Sequence, residues 1–461
     1  MTVAVRSAAL AGIDAVLIEV ETRVCAGVSY FIVGLAGEAV KESLFRVESA
    51  ITSCHFDMPR QKILISLAPA GIRKEGAVFD LPIALSILAA SGQLDPELTQ
   101  DVLFTGELSL QGKLRPIKGA LSVAIEARKA GVKRLIVPKE NANEATMVSD
   151  LAVFGFDNLT DVMEFLHEPN KVKPNTIKTR ELFKADEGLY TADFSDVRGQ
   201  EQVKRALEIM AAGGHNGLMI GPPGSGKTML ATRLPGILPP LSLQEALETT
   251  KIYSVAGQLD SLGLMTQRPF RAPHHTASDI ALVGGGPVGL PGDISMAHNG
   301  VLFLDELPEF KRRVLEVLRQ PLEERQVAIS RASYSVTFPA NFVLLAAMNP
   351  CPCGFLGHPQ RKCTCTLQAV RTYRSKLSGP LLDRIDLHIG VGPVDVNTKH
   401  AIENSSLIRE RVMASRNIQL ARTGVPNALM TTAMLKVHCG LRSNEQALLN
   451  QAMVQHKLTL L

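Results

Sequence analysis

The sequence predicts an α/β protein built as more than one domain, with a mostly parallel sheet in its central part, and three observations carry that prediction. From about Phe194 to Val394, short apolar runs alternate with segments of helical spacing, as strand–helix–strand units require. One run, Leu218-Met219-Ile220, leads directly into Gly221-Pro222-Pro223-Gly224-Ser225-Gly226-Lys227-Thr228 and then into the helix-favouring Met229-Leu230-Ala231-Thr232-Arg233-Leu234. A second alternation of strand-like and helical segments fills residues 1–168, and a chain of 461 residues has room for two to four domains at roughly 100–200 residues each.

In the first block, Val16–Val20 and Lys62–Leu67 read as strands rich in branched apolar residues. Glu38–Ser53 and Leu81–Ala90 have apolar residues at helical spacing. Pro116–Ala130 gives a turn and a helix, followed by the strand Arg134–Val137, so this block is an α/β or α+β domain of its own. Residues 169–190 are polar and basic, contain Pro169 and Pro174, and show no apolar period, as a linker does. The block that holds the glycine-rich loop occupies residues 191–396. A helical block, 397–461, closes the chain, with amphipathic helices expected at His400–Arg416 and Ser443–His456 and a capping box from Ser443 to Gln446.

Composition is that of ordinary globular protein, 46% hydrophobic and 20% charged. A net charge of +4 is too small to indicate nucleic acid by itself, and 5% aromatics without a single Trp argue against a spread stacking surface for bases. The start, MTVAVRSAAL, lacks the apolar core of a secretion signal. No apolar stretch reaches the roughly 18–20 residues that span a bilayer, so no membrane partner is expected and the expected compartment is the cytoplasm. Seven cysteines, four of them between Cys351 and Cys365, suit a reduced compartment and one metal site better than a disulfide framework.

Gly221–Thr228 fits G-x-x-x-x-G-K-[ST]. The glycines let successive N–H groups turn onto a polyphosphate, Lys227 reaches its outer phosphates, and the Thr228 hydroxyl holds Mg²⁺. The helix that follows adds positive potential at its N-terminus. Downstream, the apolar strand Val301–Leu304 delivers Asp305 and Glu306 at its C-terminal end, where ligands of open α/β sheets bind. Asp305 is placed to bind Mg²⁺ and Glu306 to polarise an attacking water. Phe342–Met348 reads as a further strand ending in Asn349, which either orients that water or merely starts a turn before Pro350. In Ser378-Gly379-Pro380-Leu381-Leu382-Asp383-Arg384, the guanidinium of Arg384 is a candidate arginine finger for a neighbouring subunit's ATP, typically worth roughly 10³–10⁵ in rate. The alternative is a surface ion pair with Asp383 or Asp386.

These pieces, in this order, resemble the AAA+ ATPases. Asp196-Val197-Arg198-Gly199-Gln200 looks like the box that contacts adenine in that family, with Val197 and Gln200 as the candidate contacts. Arg268–Thr276, Gly284-Gly285-Gly286 and Pro291–Gly300 are similar to the magnesium-chelatase-like subgroup, and within it to the ComM/YifB family. That resemblance covers nearly the whole chain. It implies a ring, expected to be a hexamer, that uses ATP and Mg²⁺ to drive branch migration on single-stranded or branched DNA during recombination of incoming DNA in natural transformation. Two other classes share parts of the pattern: a motor for Mg²⁺ insertion into a tetrapyrrole, and a protein-remodelling ATPase.

The first block resembles the C-terminal, S5-like domain of Lon proteases through Lys74-Glu75-Gly76 and Thr105–Lys113. The catalytic pair does not carry over: Val78 stands where the Ser would be and Leu121 where the Lys would be, so no peptidase activity is expected. Gln326–Phe338 alternates like a β-hairpin with Arg331, Ala332 and Ser333 near its tip, and Leu282–Asp293 is a glycine-rich insertion. In related ATPases such as the MCM helicases, such elements project into the ring's pore, which makes Arg331 a candidate DNA-phosphate contact; a solvated hairpin arginine is the alternative. Cys351-Pro352-Cys353 and Cys363-Thr364-Cys365 offer four thiols to Zn²⁺, or remain free thiols, with His358 as a spare ligand. The resemblance further implies a lid that continues past Gln455–Leu458; Thr459-Leu460-Leu461 does not match, so an incomplete lid with weakened hydrolysis is expected.

Overall fold

The computed structural model describes residues 2–177, 183, 190–259, 263–286, 289–331, 334–393 and 403–456. The chain divides into two compact units, one of Met1–Leu189, Pro240–Leu302 and Glu309–Phe342, the other of Tyr190–Pro239, Phe303–Pro308 and Val343–Leu461.

The first unit opens with β1 (Thr2–Ala11) and β2 (Asp14–Cys25), antiparallel from Thr2↔Arg23 to Ala11↔Asp14. There follow β3 (Tyr30–Val33), α1 (Glu38–Ser53), β4 (Lys62–Ala68), α2 (Asp80–Ala90), β5 (Val102–Phe104), the short antiparallel pair β6 (Glu107–Leu108) and β7 (Leu114–Arg115), α3 (Ala120–Lys129), β8 (Arg134–Pro138), α4 (Ala142–Ala145), β9 (Ala152–Phe156) and α5 (Leu159–His167). Seven of these strands form one mixed sheet in the order β3-β4-β2-β1-β5-β8-β9. Alternation along the strands sends Val5, Ile18 and Ile65 to a core shared with α1, α2 and α5, while Ala8, Leu103 and Leu135 pack with α3 and α4 on the opposite face. Helix α2 is apolar around its whole circumference and buried along nearly all its length, as a helix enclosed by its own domain must be. Its first residue, Asp80, is fully buried. Arg46 Nε and Nη2 meet its carboxylate at 2.8 and 3.0 Å, and the Leu108 N–H donates to it at 3.2 Å. Of the polar stretch after α5, Asn175 is tied to β9, its N–H donating to Val153 O and its Oδ1 accepting from Gly155 N–H; residues 178–182 and 184–189 lie outside the described residues.

The chain enters the second unit through the turn Phe194–Asp196, then α6 (Glu201–Gly213), β10 (Gly217–Ile220) and α7 (Lys227–Ile237). It returns to the first with α8 (Leu243–Ala256), β11 (Phe270–Arg271), β12 (Gly284–Gly285), β13 (Leu290–Pro291) and the opening half of β14 (Val301–Leu304). The hairpin β15 (Gln326–Arg331) and β16 (Tyr334–Pro339) also belongs there, in register from Gln326↔Pro339 to Arg331↔Tyr334. Its tip, Ala332 and Ser333, lies outside the described residues.

Back in the second unit, β17 (Val343–Met348) and β18 (Leu387–Gly390) flank β10, both parallel to it, and Leu304 ends β14 beside β17. The parallel sheet expected around the phosphate loop is present. Helix α9 (Leu367–Arg374) and the terminal helices α10 (Ser405–Thr423), α11 (Thr432–His438) and α12 (Ser443–His456) complete it. Two local expectations are corrected. Helix α10 does not extend back through Glu403: Asn404 caps it, its Oδ1 accepting from Leu407 N–H at 3.0 Å, and it runs on to a left-handed Gly424; residues 400–402 lie outside the described residues. At α12 the expected Ser443–Gln446 box is displaced by one residue, because the charged Glu445 carboxylate accepts from the Arg442 N–H at 2.7 Å and outcompetes the neutral amide. Ser443–Asn450 are all exposed, so the first two turns of α12 bury no apolar stripe. The last residues, 457–461, lie outside the described residues, and among the described residues no helix is long and apolar enough to cross a membrane.

Candidate functional site

Strand β10 is short and buried at its start, and its last residue points the chain into Gly221. Gly224 and Gly226 then adopt φ of +76° and +84°, where a Cβ would meet no neighbour within 4 Å. Glycine is demanded there by conformation and not by space. Pro222 and Pro223 have no N–H, so the donors of the loop begin at Gly224. Gly226 caps α7, whose first N–H groups have no intrahelical acceptor and whose dipole adds positive potential there.

Lys227 is buried, and its ammonium donates to Gly221 O and Pro222 O at 2.9 Å each and to Asn349 Oδ1 at 3.3 Å. Burial pulls its pKa down, and Asp305 and Glu306 oppose that shift. Thr228 Oγ1 donates to Asp305 Oδ2 at 2.8 Å, and the other carboxylate oxygen accepts from the Glu306 N–H at 2.9 Å. Glu306 takes a left-handed φ of 53°, which turns the chain sharply off the end of β14 and leaves its side chain exposed. Residues read from three separate motifs are thus paired by hydrogen bonds, Lys227 with Asn349 and Thr228 with Asp305.

This set fits a Mg²⁺–nucleoside triphosphate. Helix-terminal N–H groups and an ammonium belong to one loop, a hydroxyl and a carboxylate suited to a hard cation stand together, and the buried Ser225 Oγ has no partner among the described residues. Val197 is buried and its carbonyl accepts from the buried Lys204 at 2.7 Å. Gln200 caps α6 and donates through Nε2 to Gly392 O at 2.7 Å, just beyond β18. Arg384 is half-buried and donates through Nη1 to Pro380 O at 2.6 Å, while Asp386 accepts from Asn216 N–H at 3.0 Å and lies 3.2 Å from His215 Nδ1. Arg331, in the other unit, is exposed at the end of β15.

Several contacts that shape the second unit had no local sequence signal. The Asp193 carboxylate accepts from the N–H groups of Ser195 and Ser405, and Phe194 N–H donates to Ser405 Oγ at 2.8 Å, tying the segment before α6 to the start of α10. Arg233 bonds Asp196 and the Asp193 carbonyl at 2.7 Å each. Arg411 of α10 bonds Glu208 of α6 at 2.8 Å and also bonds Glu403.

The four thiols come together in the loop between β17 and α9. Cys351, Cys353 and Cys363 have S···S separations of 3.4, 3.6 and 3.7 Å, and Cys353 N–H donates to Cys365 Sγ at 3.4 Å. All four sulfurs lie within 4.8 Å of one another. Sulfurs bound at about 2.3 Å around one tetrahedral ion stand about 3.8 Å apart, whereas a disulfide would bring two of them to about 2.05 Å. These three separations are close to that value, and the cluster can hold a metal. Backbone N–H groups of Phe355 and Thr364 bring the Cys353 thiol down to about 5, whereas burial and the neighbouring thiols hold Cys363 and Cys365 above the ordinary thiol value. His358, the spare ligand, instead accepts through Nδ1 from the N–H groups of Gln360 and Arg361 at 3.1 Å each.

In the first unit, Val78 lines a cavity of about 620 Å³ together with Thr105, Glu107 and Lys118, and Leu121 is buried on α3. Neither position carries a nucleophile or a base.

Comparison with known proteins gives matches along most of the chain. The family model described as magnesium chelatase, subunit ChlI, matches residues 193–399, a ChlI subunit model matches residues 20–141, and the ChlI C-terminal model matches residues 402–460. Competence protein ComM of Haemophilus influenzae is 44% identical over 456 residues, covering 97% of this chain and 89% of that protein. YifB of Escherichia coli is 43% identical over 465 residues, 99% of this chain and 90% of its own length. An archaeal Lon protease from Thermococcus kodakarensis is 26% identical over 152 residues, 32% of this chain.

Proposed function

Since the chain belongs to the ComM/YifB family of magnesium-chelatase-like AAA+ proteins, we propose that it is a ring-forming, ATP-driven DNA motor, a hexamer that moves branch points during recombination of incoming DNA. The observation that carries the ATPase part is the bonded set Lys227–Asn349 and Thr228–Asp305 around the phosphate loop. Mg²⁺–ATP, when bound, would supply the γ-phosphoryl group that water attacks, with ADP as the leaving group. The protein's part is positional. Backbone N–H groups from Gly224 to Thr228 and the Lys227 ammonium hold the phosphates, and Thr228 with Asp305 holds the cation. Glu306 takes up the proton of the attacking water, and Asn349 fixes that water's position. Val197 and Gln200 lie against the base, and Arg384 neutralises charge at the site of a neighbouring subunit.

In this reading residues 1–168 form a Lon-like domain without the Ser–Lys pair, 169–190 a linker, 191–396 the ATPase and 397–461 its helical lid. The DNA assignment is supported by the relative named for competence and by the exposed Arg331 on the β15–β16 hairpin. The thiol cluster holds one Zn²⁺ in a structural capacity, because four sulfurs complete a tetrahedron and leave no open position for substrate. The cytoplasm, where thiols stay reduced, suits such a site.

Measuring ATP turnover with single-stranded DNA, forked DNA or an unfolded protein tests the proposal. Stimulation by DNA that disappears in Lys227→Ala and Glu306→Gln supports it. A response to unfolded protein alone would move the chain to the remodelling class favoured by the partial Lon similarity. Magnesium insertion into a tetrapyrrole, without a DNA response, would favour the chelatase class named by the family models.

A further inference from the structure

The thiol loop does not stand apart from the nucleotide site. It begins at Pro350, one residue after Asn349, and its first cysteine is fully buried. Gly354, between the two cysteine pairs, is seated on the phosphate loop. A Cβ there would lie 2.4 Å from Pro223 Cδ, 2.8 Å from Pro223 Cγ and 3.8 Å from Asn349 Cγ. Its N–H is held by Cys351 O at 2.9 Å, and φ is +80°, so the glycine meets both a conformational and a steric demand. On the other side of the contact, the Gly221 N–H bonds Met348 O at 3.2 Å, and Asn349 bonds Lys227. A cavity of about 210 Å³ lies between the two loops, walled by Gly221, Pro222, Gly354 and His358.

The loop itself is closed by local turns, with Gly354 N–H on Cys351 O and His358 Nδ1 accepting from Gln360 and Arg361 N–H. From Pro350 to Thr366 it forms only turns and bends, without a helix or strand. Segments of that length without regular structure are uncommon in compact domains unless something ties them down. Arg374 ties the loop's start to α9, donating to Pro350 O at 3.3 and 3.2 Å, and the four sulfurs draw its two ends together. A metal ion bound to those sulfurs fixes the loop's backbone, and through Gly354 it fixes the position of Pro223.

We propose that metal bound by Cys351, Cys353, Cys363 and Cys365 braces the phosphate loop through the Gly354–Pro223 contact, so that nucleotide affinity depends on whether the thiol site is loaded. This rests on the reading of the thiols as a metal site and adds that the site is coupled to the P-loop. Loss of the ion frees the Cys351–Cys365 loop, removes the backing from Pro223, and lets the phosphate-binding N–H groups disperse. Any ATP-dependent activity would then require metal twice, Mg²⁺ with the nucleotide and a thiolate-bound ion behind the loop.

The full-length chain, purified without added zinc, is assayed for zinc content and for affinity towards a fluorescent N-methylanthraniloyl-ADP. The same two measurements are made after thiol-directed release of the metal, after zinc is restored, and on Cys365→Ser and Gly354→Ala. About one zinc per chain is expected in the native protein. Metal release and Cys365→Ser are expected to weaken nucleotide binding at least tenfold, and zinc is expected to restore the released sample. Gly354→Ala is expected to keep its zinc and still bind nucleotide several-fold more weakly, which separates the brace from general unfolding. No zinc in the native chain would overturn the metal reading itself. Zinc present, with affinity unchanged on its removal, would overturn the coupling and leave the metal site standing. Full affinity in Gly354→Ala would overturn the contact as its route.

Discussion

The hydroxyl of Thr228, in the first turn after the phosphate loop, donates to Asp305 at the end of β14, 77 residues away and 2.8 Å apart. The pair brings together the two ligand types a hard cation prefers, at the mouth of a loop whose N–H groups and ammonium suit phosphate. Thr228→Val keeps the shape and removes the oxygen, and Asp305→Ala removes the carboxylate. Both variants are expected to lose the gain in nucleotide affinity that Mg²⁺ confers on the native chain, about tenfold or more for the loss of one polar partner of a charged group. Thr228→Ser is expected to retain it. Titration of fluorescent nucleotide with and without Mg²⁺ checks this, and a Mg²⁺ effect that survives in both Val and Ala variants would remove the cation site from this pair.

Asp80 and Arg46 form a pair buried in the first unit, with Asp80 fully buried and the Arg46 side chain 23% exposed. Burial raises the Asp80 carboxyl from 3.8 to about 6, and Arg46 with the Leu108 N–H opposes that rise. The folded value exceeds the unfolded one, so the folded chain binds more protons across that window, and stability falls as pH is raised through it. In Arg46→Ala the opposing cation is gone and the carboxyl climbs further. The variant is expected to lie close to the native chain in stability near pH 4 and to lose up to about 2 kcal/mol at pH 7.5, the most that a native carboxyl titrating at about 6 allows when the variant's carboxyl stays protonated. Arg46→Ala combined with Asp80→Asn is expected to flatten that pH dependence. Denaturant midpoints at the two pH values decide; a loss that does not grow with pH would mean that Asp80 carries no charge in the fold.

How much of this was legible in the sequence depended on chain separation. The phosphate loop, the acidic pair after Val301–Leu304 and the two cysteine pairs are local patterns, each readable because one strand or loop delivers all its parts. Asn349 was readable as the polar end of an apolar run, yet its bond to Lys227 links residues 122 positions apart. The contacts of Asp193 with Ser405, of Arg411 with Glu208 and of Gly354 with Pro223 leave no periodic or spacing signature, because each partner looks locally like a surface residue or a turn. The misread start of α10 and the misread cap of α12 have a different cause. Near both Asn404 and Arg442, overlapping polar residues offered competing caps, and the stronger acceptor at the right offset decided the register.

Arg411 joins Glu208 on α6 to Glu403 ahead of α10, in the region expected to act as the lid. Both carboxylates are held below their ordinary values by that guanidinium, and Glu208 is also met by Arg205. The Arg411 side chain is 46% exposed, so solvent screens the pair and the expected loss in Arg411→Ala is only about 1 kcal/mol. The local consequence is expected to be larger than the global one. Cleavage between Glu403 and Gly424 under limited proteolysis should accelerate with little change in the overall unfolding midpoint, whereas Arg411→Lys, which keeps charge without the fork, should fall between. Equal protection in all three chains would show that α10 is held by its buried Ile408 and Val412 alone.

Arg331 ends β15, exposed, on the hairpin proposed to meet DNA. A single guanidinium contacting a phosphate releases about one counterion on binding, so Arg331→Ala is expected to reduce the slope of log affinity against log salt by about 0.7–0.9. The loss should be uniform across DNA sequences, because a phosphate contact carries no base information. Arg331→Lys should keep the slope, since the charge and not the fork is what matters at a phosphate met by one contact. Binding of labelled single-stranded and forked DNA across a range of salt, in the presence of a non-hydrolysed ATP analogue, reads out all three chains. An unchanged slope in Arg331→Ala would place the hairpin off the DNA path, and the electrostatic contact would then have to be sought elsewhere in the chain.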